Sequence, residues 1–223
     1  MSELNTRRGL PGLAFPEEAL KRSAADLVSR FAGTFSAETI ERCVLESYTA
    51  LLRTSRVQAH LAMHATRFAA ERLTALGQAT GTIERAVPEV LFVCEQNAGR
   101  SQMAAVFTYA LSGGNVHVRS AGSAPARDLH PVVGQAMQEL GLDLLEAFPK
   151  PLTDDVVQAA DIVITMGCGD ACPIYPGKTY QDWHLTDPAD LPIEQVRLVR
   201  DDVRKHVEAL LRTLGIESKG LPA

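Results

Sequence analysis

The spacing of hydrophobic residues changes character near Pro88. Before that residue, apolar side chains recur every three or four positions in three stretches, a period typical of amphipathic helices. In the first stretch, Leu20, Leu27 and Phe31 fall on one helical face. Three such helices with short connections favour a small antiparallel bundle, which we assign to residues 1–80. The helices are predicted within residues 15–33, 35–55 and 57–77.

After Pro88, short apolar runs alternate with amphipathic stretches. Strands separated by helices are typical of a parallel sheet with helices on both faces. We therefore predict an α/β fold for residues 89–223, a doubly wound four-stranded parallel sheet that a polar linker at residues 81–88 joins to the three-helix bundle. The strands are predicted within residues 89–94, 115–123, 161–167 and 178–185. The helices are predicted within residues 101–113, 130–141, 153–160 and 192–215.

Hydropathy and cysteine content indicate a cytoplasmic protein. No apolar run approaches the roughly 18 residues that mark a membrane-spanning helix, and the first residues lack the apolar segment of a signal peptide. We therefore expect no membrane association. In a reducing compartment, Cys43, Cys94, Cys168 and Cys172 are not expected to form a static disulfide framework. They are then core residues, metal ligands or redox groups.

The charge is divided unevenly along the chain. Residues 1–87 hold 11 Lys and Arg against 9 Asp and Glu, whereas residues 88–223 hold 11 against 18. Neither part has the basic excess of a dedicated nucleic-acid binder, so no nucleic-acid partner is predicted. An acidic α/β part also attracts anions poorly. Any anion bound there must be held by hydrogen-bond donors or positive charges in direct contact with it.

A predicted anion-binding loop follows the first predicted strand, which ends on Cys94. Open α/β sheets bind ligands at this edge, where the next helix also presents its N-terminal amides. The spacing Cys-x5-Arg-Ser places the planar donor fork of Arg100 and the hydroxyl of Ser101 beside the thiol, and this environment favours the thiolate. The alternative is a small core residue that closes a strand. The predicted oxyanion-binding loop consists of Glu95, Gln96, Asn97, Ala98, Gly99 and Arg100.

These motifs resemble the low-molecular-weight protein tyrosine phosphatase superfamily, and within it the arsenate reductase branch. The segment "CEQNAGRSQMA" has Gln-Met-Ala after Arg-Ser, as the arsenate reductases do, where the phosphatases usually have proline after the serine. The segments "SAGS", "ITMGCGDACP" and "DWHLTDPAD" follow in the order of the family. The N-terminal helices resemble a three-helix domain that is fused to some members.

The resemblance implies a role for each matching residue. Cys94 would be the nucleophile, Arg100 and the loop amides would bind arsenate, and Ser101 would hydrogen-bond the thiolate. Asn97 would shape the loop, and Asp187 of "DPAD" would protonate the departing oxygen. No cofactor is implied. Some relatives carry a potassium-binding glutamate where this chain has Ala105, so no metal site is predicted.

A second pair of thiols, Cys168 and Cys172, fits arsenate reduction because that reaction needs two electrons. In the implied relay, Cys168 attacks the arsenic-bearing Cys94, Cys172 then attacks Cys168, and thioredoxin resets the disulfide. On a helix the pair would be about 6 Å apart at Cβ, whereas a disulfide needs about 3.8 Å, so the segment must rearrange. A zinc site and two unreactive thiols are the alternatives.

Two further questions stay open at the level of sequence. A protein tyrosine phosphatase that hydrolyses aryl phosphates through a phosphocysteine is the alternative function, since arsenate mimics phosphate. The relay pair and the small Ala189 after Asp-Pro favour the reductase. The bundle is barely basic, so homo-oligomer formation or docking of a redox partner is preferred over DNA binding.

Overall fold

The computed structural model describes residues 17–54, 60–167 and 172–221. Three helices come first and are followed by an alternation of strands and helices, in agreement with the predicted order. The helices are α1 Glu17–Arg30, α2 Ala37–Leu52, α3 Leu61–Ala79, α4 Arg100–Ser112, α5 Pro131–Gln138, α6 Asp154–Ala159 and α7 Ile193–Thr213. The strands are β1 Glu89–Cys94, β2 His117–Gly122, β3 Ile162–Met166 and β4 Thr179–Asp182.

The four strands form one parallel sheet in the order β2-β1-β3-β4, which confirms the predicted fold class. Because side chains alternate along a strand, β1 serves two cores. Val90 and Phe92 pack with α4, α5 and α7 on one face. Leu91 and Val93 pack with α6 on the other. The central strand is buried on both sides, and its carboxyl end delivers Cys94 to an edge that helices flank.

Helix α3 runs past its predicted stop at Gly77. The helix continues to Ala79, and Gly81, with φ of +74°, lies in the turn that follows. Gly77 has a packing role instead, because a Cβ atom there would lie 2.5 Å from Cδ1 of Ile83. The small residue lets the chain after the helix fold back against it.

A buried polar cluster joins the end of α3 to the sheet. Gln78 Nε2 donates to Glu89 Oε1 at 2.5 Å, and its own Oε1 accepts from Arg119 at 2.7 Å. Burial would raise the pKa of Glu89, but the hydrogen bond from His117 and the charge of Arg119 outweigh it and the pKa is lowered. The cluster joins Gln78, which precedes residues 81–88, to Glu89, which follows them. The role of residues 81–88 as a linker stays a prediction.

The bundle core also takes a side chain from the α/β part. Phe148 packs among the apolar residues of α1, α2 and α3, and its ring stacks in parallel on His64 with 4.3 Å between centroids. In the part of the chain that the structure describes, no helix is long and apolar enough to cross a membrane.

We predict that His64 makes the folded protein less stable at mildly acidic pH. Burial lowers the pKa of His64 below its ordinary value of 6.5, and the charges of Arg67 and His60 add to this effect. As the pH falls through the ordinary value, the unfolded chain takes up a proton that the folded chain resists, so stability rises with pH in this window. The melting temperature should therefore fall between about pH 7.5 and about pH 5.5, and less so in His64→Phe, which keeps the stack.

His184→Gln is the matched control, because the ring of His184 is 92% exposed and lies away from the bundle core. This variant measures the effect of losing an exposed histidine, one that lies 3.4 Å from Asp182. Equal pH dependence in His64→Phe and in the unmodified protein would contradict the prediction.

Candidate active site

The loop after β1 wraps around the sulfur of Cys94. The thiol is 2% exposed, and its Sγ lies 3.0 Å from Ser101 Oγ at the start of α4. The backbone N–H of Asn97 donates to the same sulfur at 3.2 Å. Two hydrogen-bonding groups thus converge on the buried sulfur that the sequence predicts as the nucleophile.

Asn97 organises this loop from the left-handed region of φ, at +48°, with its side chain fully buried. Its Oδ1 accepts hydrogen bonds from Gln102 Nε2 at 3.0 Å and from the backbone N–H of Lys150 at 2.9 Å. Its Nδ2 therefore faces Ser101 Oγ, to which it donates at 2.8 Å. Because Ser101 Oγ accepts this bond, its own proton is available for Cys94.

The loop carbonyls point away from the sulfur. Those of Glu95 and Gln96 accept from the backbone N–H groups of Ala124 and Ala126, each at 2.8 Å, and that of Ala98 accepts from the N–H of His130 at 3.1 Å. In a planar trans peptide, the N–H of the next residue points opposite to the carbonyl. The amides of Gln96, Asn97 and Gly99 are thus turned inward, as an oxyanion cradle needs. The side chain of Glu95 is exposed.

Two glycines allow close approach around the loop. A Cβ atom on Gly122, at the end of β2, would lie 2.7 Å from the carbonyl oxygen of Glu95. A Cβ atom on Gly99 would lie 2.6 Å from Cγ of Pro188. The first contact gives a physical reason for the glycine in "SAGS", and the second places the Asp-Pro segment directly over the loop.

Arg100 connects the loop to the Asp-Pro segment. Its Nη2 donates to Asp187 Oδ2 at 2.6 Å, and its Nη1 donates to the carbonyl of Leu185 at 3.4 Å. Its Nε is buried and has no hydrogen-bond partner among the described residues. A buried donor of this kind is costly unless a ligand satisfies it, so the guanidinium is suited to an oxyanion.

The structure brings most of the predicted site residues together. Hydrogen bonds join Cys94, Asn97 and Ser101 in one group and Arg100 and Asp187 in another, and Arg100 follows directly after the loop around the sulfur. Cys168 lies outside the described residues. The structure resumes at Cys172, which is partly buried and packs against the apolar face that α6 covers.

Sequence reasoning missed the residues behind the loop. Gln102 bonds both Oδ1 and the backbone oxygen of Asn97, and it also bonds the carbonyl of Phe148. Gln102 lies in "RSQMA", directly after Arg100 and Ser101, so its support of the loop could have been predicted from the sequence. Lys150 acts on Asn97 through its backbone N–H, for which no side-chain signal exists.

The comparisons with known proteins agree with this geometry. A family model for low molecular weight phosphotyrosine protein phosphatase matches residues 89–219. A putative arsenate reductase from Halobacterium salinarum is 38% identical over 121 residues, which cover 52% of this chain and 85% of that protein. A glutaredoxin arsenate reductase from Synechocystis is 35% identical over 126 residues, or 55% of this chain and 95% of that protein.

The N-terminal helices have a counterpart as well. A family model for the N-terminal domain of protein-tyrosine-phosphatase-like proteins matches residues 20–77. The solved structure of a thioredoxin-dependent arsenate reductase from Corynebacterium glutamicum superposes with a TM-score of 0.81 at 45% identity, covering 89% of this chain and 97% of that one. This chain therefore belongs to the low molecular weight phosphotyrosine protein phosphatase family.

Proposed function

We propose that this protein reduces arsenate to arsenite by a thiol relay that thioredoxin resets. The observation that carries the proposal is the position of Gly167. A Cβ atom on this residue would lie 3.0 Å from Nη1 of Arg100, so the segment that holds Cys168 and Cys172 starts beside the anion-binding guanidinium. A thiol that directly follows Gly167 in the chain serves reduction and has no use in ester hydrolysis.

The first steps use the loop and the Asp-Pro segment. Arsenate takes the inward amides and the donors of Arg100, including the unpaired Nε, and so displaces Asp187 from the guanidinium. The thiolate of Cys94 attacks arsenic, a sulfur–arsenic bond forms, and an arsenate hydroxyl leaves as water with a proton that Asp187, once released from Arg100, has taken from the incoming dihydrogen arsenate. Ser101 loses its thiolate partner at this point and is free to turn toward the adduct.

The later steps move two electrons. Cys168 attacks the sulfur of Cys94, the sulfur–arsenic electron pair stays with arsenic, and arsenite leaves as the Cys94–Cys168 disulfide forms. Cys172 then attacks Cys168 and frees Cys94, and a thioredoxin dithiol reduces the Cys168–Cys172 disulfide. Gly167, with φ of +75°, supplies backbone freedom where this segment leaves β3.

A phosphatase is the second candidate, because Cys94, Arg100 and Asp187 would also suit hydrolysis of a phosphate ester through a phosphocysteine. The relative from Synechocystis is a glutaredoxin arsenate reductase and that from Corynebacterium glutamicum a thioredoxin-dependent one, so both reductants belong in the assay. Self-association through the bundle stays a prediction.

We predict that Cys94→Ser abolishes arsenate reduction and any aryl phosphatase activity, since both need the thiolate in the cradle. The change is nearly isosteric, so circular dichroism and melting temperature should be close to those of the unmodified protein. Cys43→Ser is the control, because burial raises the pKa of the Cys43 thiol and keeps it unreactive. Retention of more than about a tenth of the reductase rate by Cys94→Ser would remove Cys94 from the mechanism.

We predict that Arg100→Lys lowers kcat/KM for arsenate by an amount equivalent to about 2–3 kcal/mol, because lysine keeps the charge but loses the planar fork and the unpaired Nε. Steady-state kinetics with thioredoxin measure this change. Arg197→Lys is the matched control, since Arg197 forms an exposed ion pair with Glu139. A near-normal Arg100→Lys enzyme would mean that the loop amides bind the oxyanion unaided.

We predict that Cys172→Ser reduces one arsenate per enzyme and then stops as a Cys94–Cys168 disulfide, because that disulfide cannot be passed to thioredoxin or glutaredoxin. Cys168→Ser should stop earlier, at the arsenic adduct. Any aryl phosphatase activity should survive both changes, since hydrolysis needs water and an acid. The measurement is single-turnover arsenite release with mass spectrometry of the disulfides. Normal turnover by both variants would show that an external thiol resolves the adduct directly.

A further inference from the structure

Residues 148–150 connect the three-helix bundle to the loop around Cys94. The segment lies between α5 and α6, and its side chains and its backbone serve different parts of the molecule. The side chains contact helix α3, and the backbone forms hydrogen bonds with groups around Cys94.

The side chains of the segment are fixed to α3. The Phe148 ring is 7% exposed within the bundle core, and it stacks on His64 at 4.3 Å. The ammonium of Lys150 lies 2.7 Å from Glu71 Oε2 and 5.4 Å from the centre of the Phe148 ring. The Lys150 side chain is 12% exposed, so its ion pair is better shielded from solvent than a typical surface pair.

The backbone of the segment is fixed to the catalytic loop. The carbonyl of Phe148 accepts from Gln102 Nε2 at 3.1 Å, and the N–H of Lys150 donates to Asn97 Oδ1 at 2.9 Å. The carbonyl of Lys150 accepts from the N–H of Gly122 at 2.8 Å, next to the loop. Phe148 and Lys150 thus make three backbone hydrogen bonds to groups around Cys94.

The orientation of the Asn97 amide depends on these bonds. Its Oδ1 accepts from Lys150 N–H and from Gln102 Nε2, and Gln102 is itself held by the Phe148 carbonyl. Both donors are therefore placed by the segment. Without them the amide could turn and present oxygen to Ser101, whose proton would then be drawn away from Cys94.

We propose that helix α3, through Phe148 and Glu71, is a positioning element for the nucleophile loop of the catalytic domain. This inference rests on the proposed function, and it gives the N-terminal helices a task in it. Phe148 and Lys150 are positioning residues, because they act on Cys94 through Asn97 and Gln102 and do not reach the reacting atoms.

The test measures how well the folded loop binds an anion. Inorganic phosphate bound in the cradle should protect Cys94 from iodoacetamide, and the concentration that gives half protection would report on the cradle whether or not arsenate is turned over. Phe148→Ala should raise this concentration by about tenfold, as expected when hydrogen bonds that fix a charge-binding group are lost. Phe31→Ala is the matched control, because it truncates an aromatic ring of the same core whose own ring contact is with Phe35.

A gentler pair of variants covers the case in which Phe148→Ala does not fold. Glu71→Gln removes the anchor of Lys150 and should raise the half-protecting phosphate concentration about two- to threefold. Its neighbour Arg72 also pairs across to the α/β part, with Asp155 at 2.8 Å, but does not contact the segment. Arg72→Gln should lower the melting temperature and leave phosphate protection unchanged.

The outcomes are distinct. Weaker phosphate protection in Phe148→Ala or Glu71→Gln, with normal protection in the two controls, supports the proposal. Equal protection in each variant and its control, at equal folded fraction, overturns it. An unmodified protein that is protected by phosphate but does not reduce arsenate would refute the proposed function and leave this comparison valid.

Discussion

The proposed reaction needs a thiolate at the end of a fully buried strand, and this requirement is the constraint on which the rest of the site depends. A charge with almost no access to water is tolerated only when donors surround it. The N–H of Asn97 and the hydroxyl of Ser101 supply two such donors, and the turned loop peptides would line the place of the anion that the sulfur attacks in the proposed reaction. The glycine at 122, the left-handed Asn97 and the backbone of residues 148–150 all serve to keep that loop in shape.

The same constraint explains how an acidic domain binds an anion. Residues 88–223 carry a clear excess of carboxylates, so long-range attraction is absent. The site relies on short-range groups instead, namely loop amides, one helix N-terminus and one guanidinium. Asp187 accepts from one donor of Arg100, Nη2, and so gives the positive charge a carboxylate partner.

The sequence allowed the order of the elements, the fold class and the position of the nucleophile loop to be predicted, because each rests on a local pattern. Strand β1 is an unbroken apolar run, and Cys94, Arg100 and Ser101 lie within eight residues of one another. What could not be predicted depends on contacts between distant parts of the chain. Gly77 resembled a helix stop because its contact with Ile83 cannot be seen locally. Lys150 gave no signal because its backbone, and not its side chain, supports Asn97.

The place of Phe148 in the bundle core has a consequence for how this protein can change over generations. A large aromatic ring at that position is useful only while α3 covers it, because in a chain without the bundle the ring would face water. We therefore expect the identity of residue 148 and the presence of the N-terminal helices to change together among related chains. A lineage that lost the helices would have to replace this phenylalanine and find another support for the asparagine of its loop.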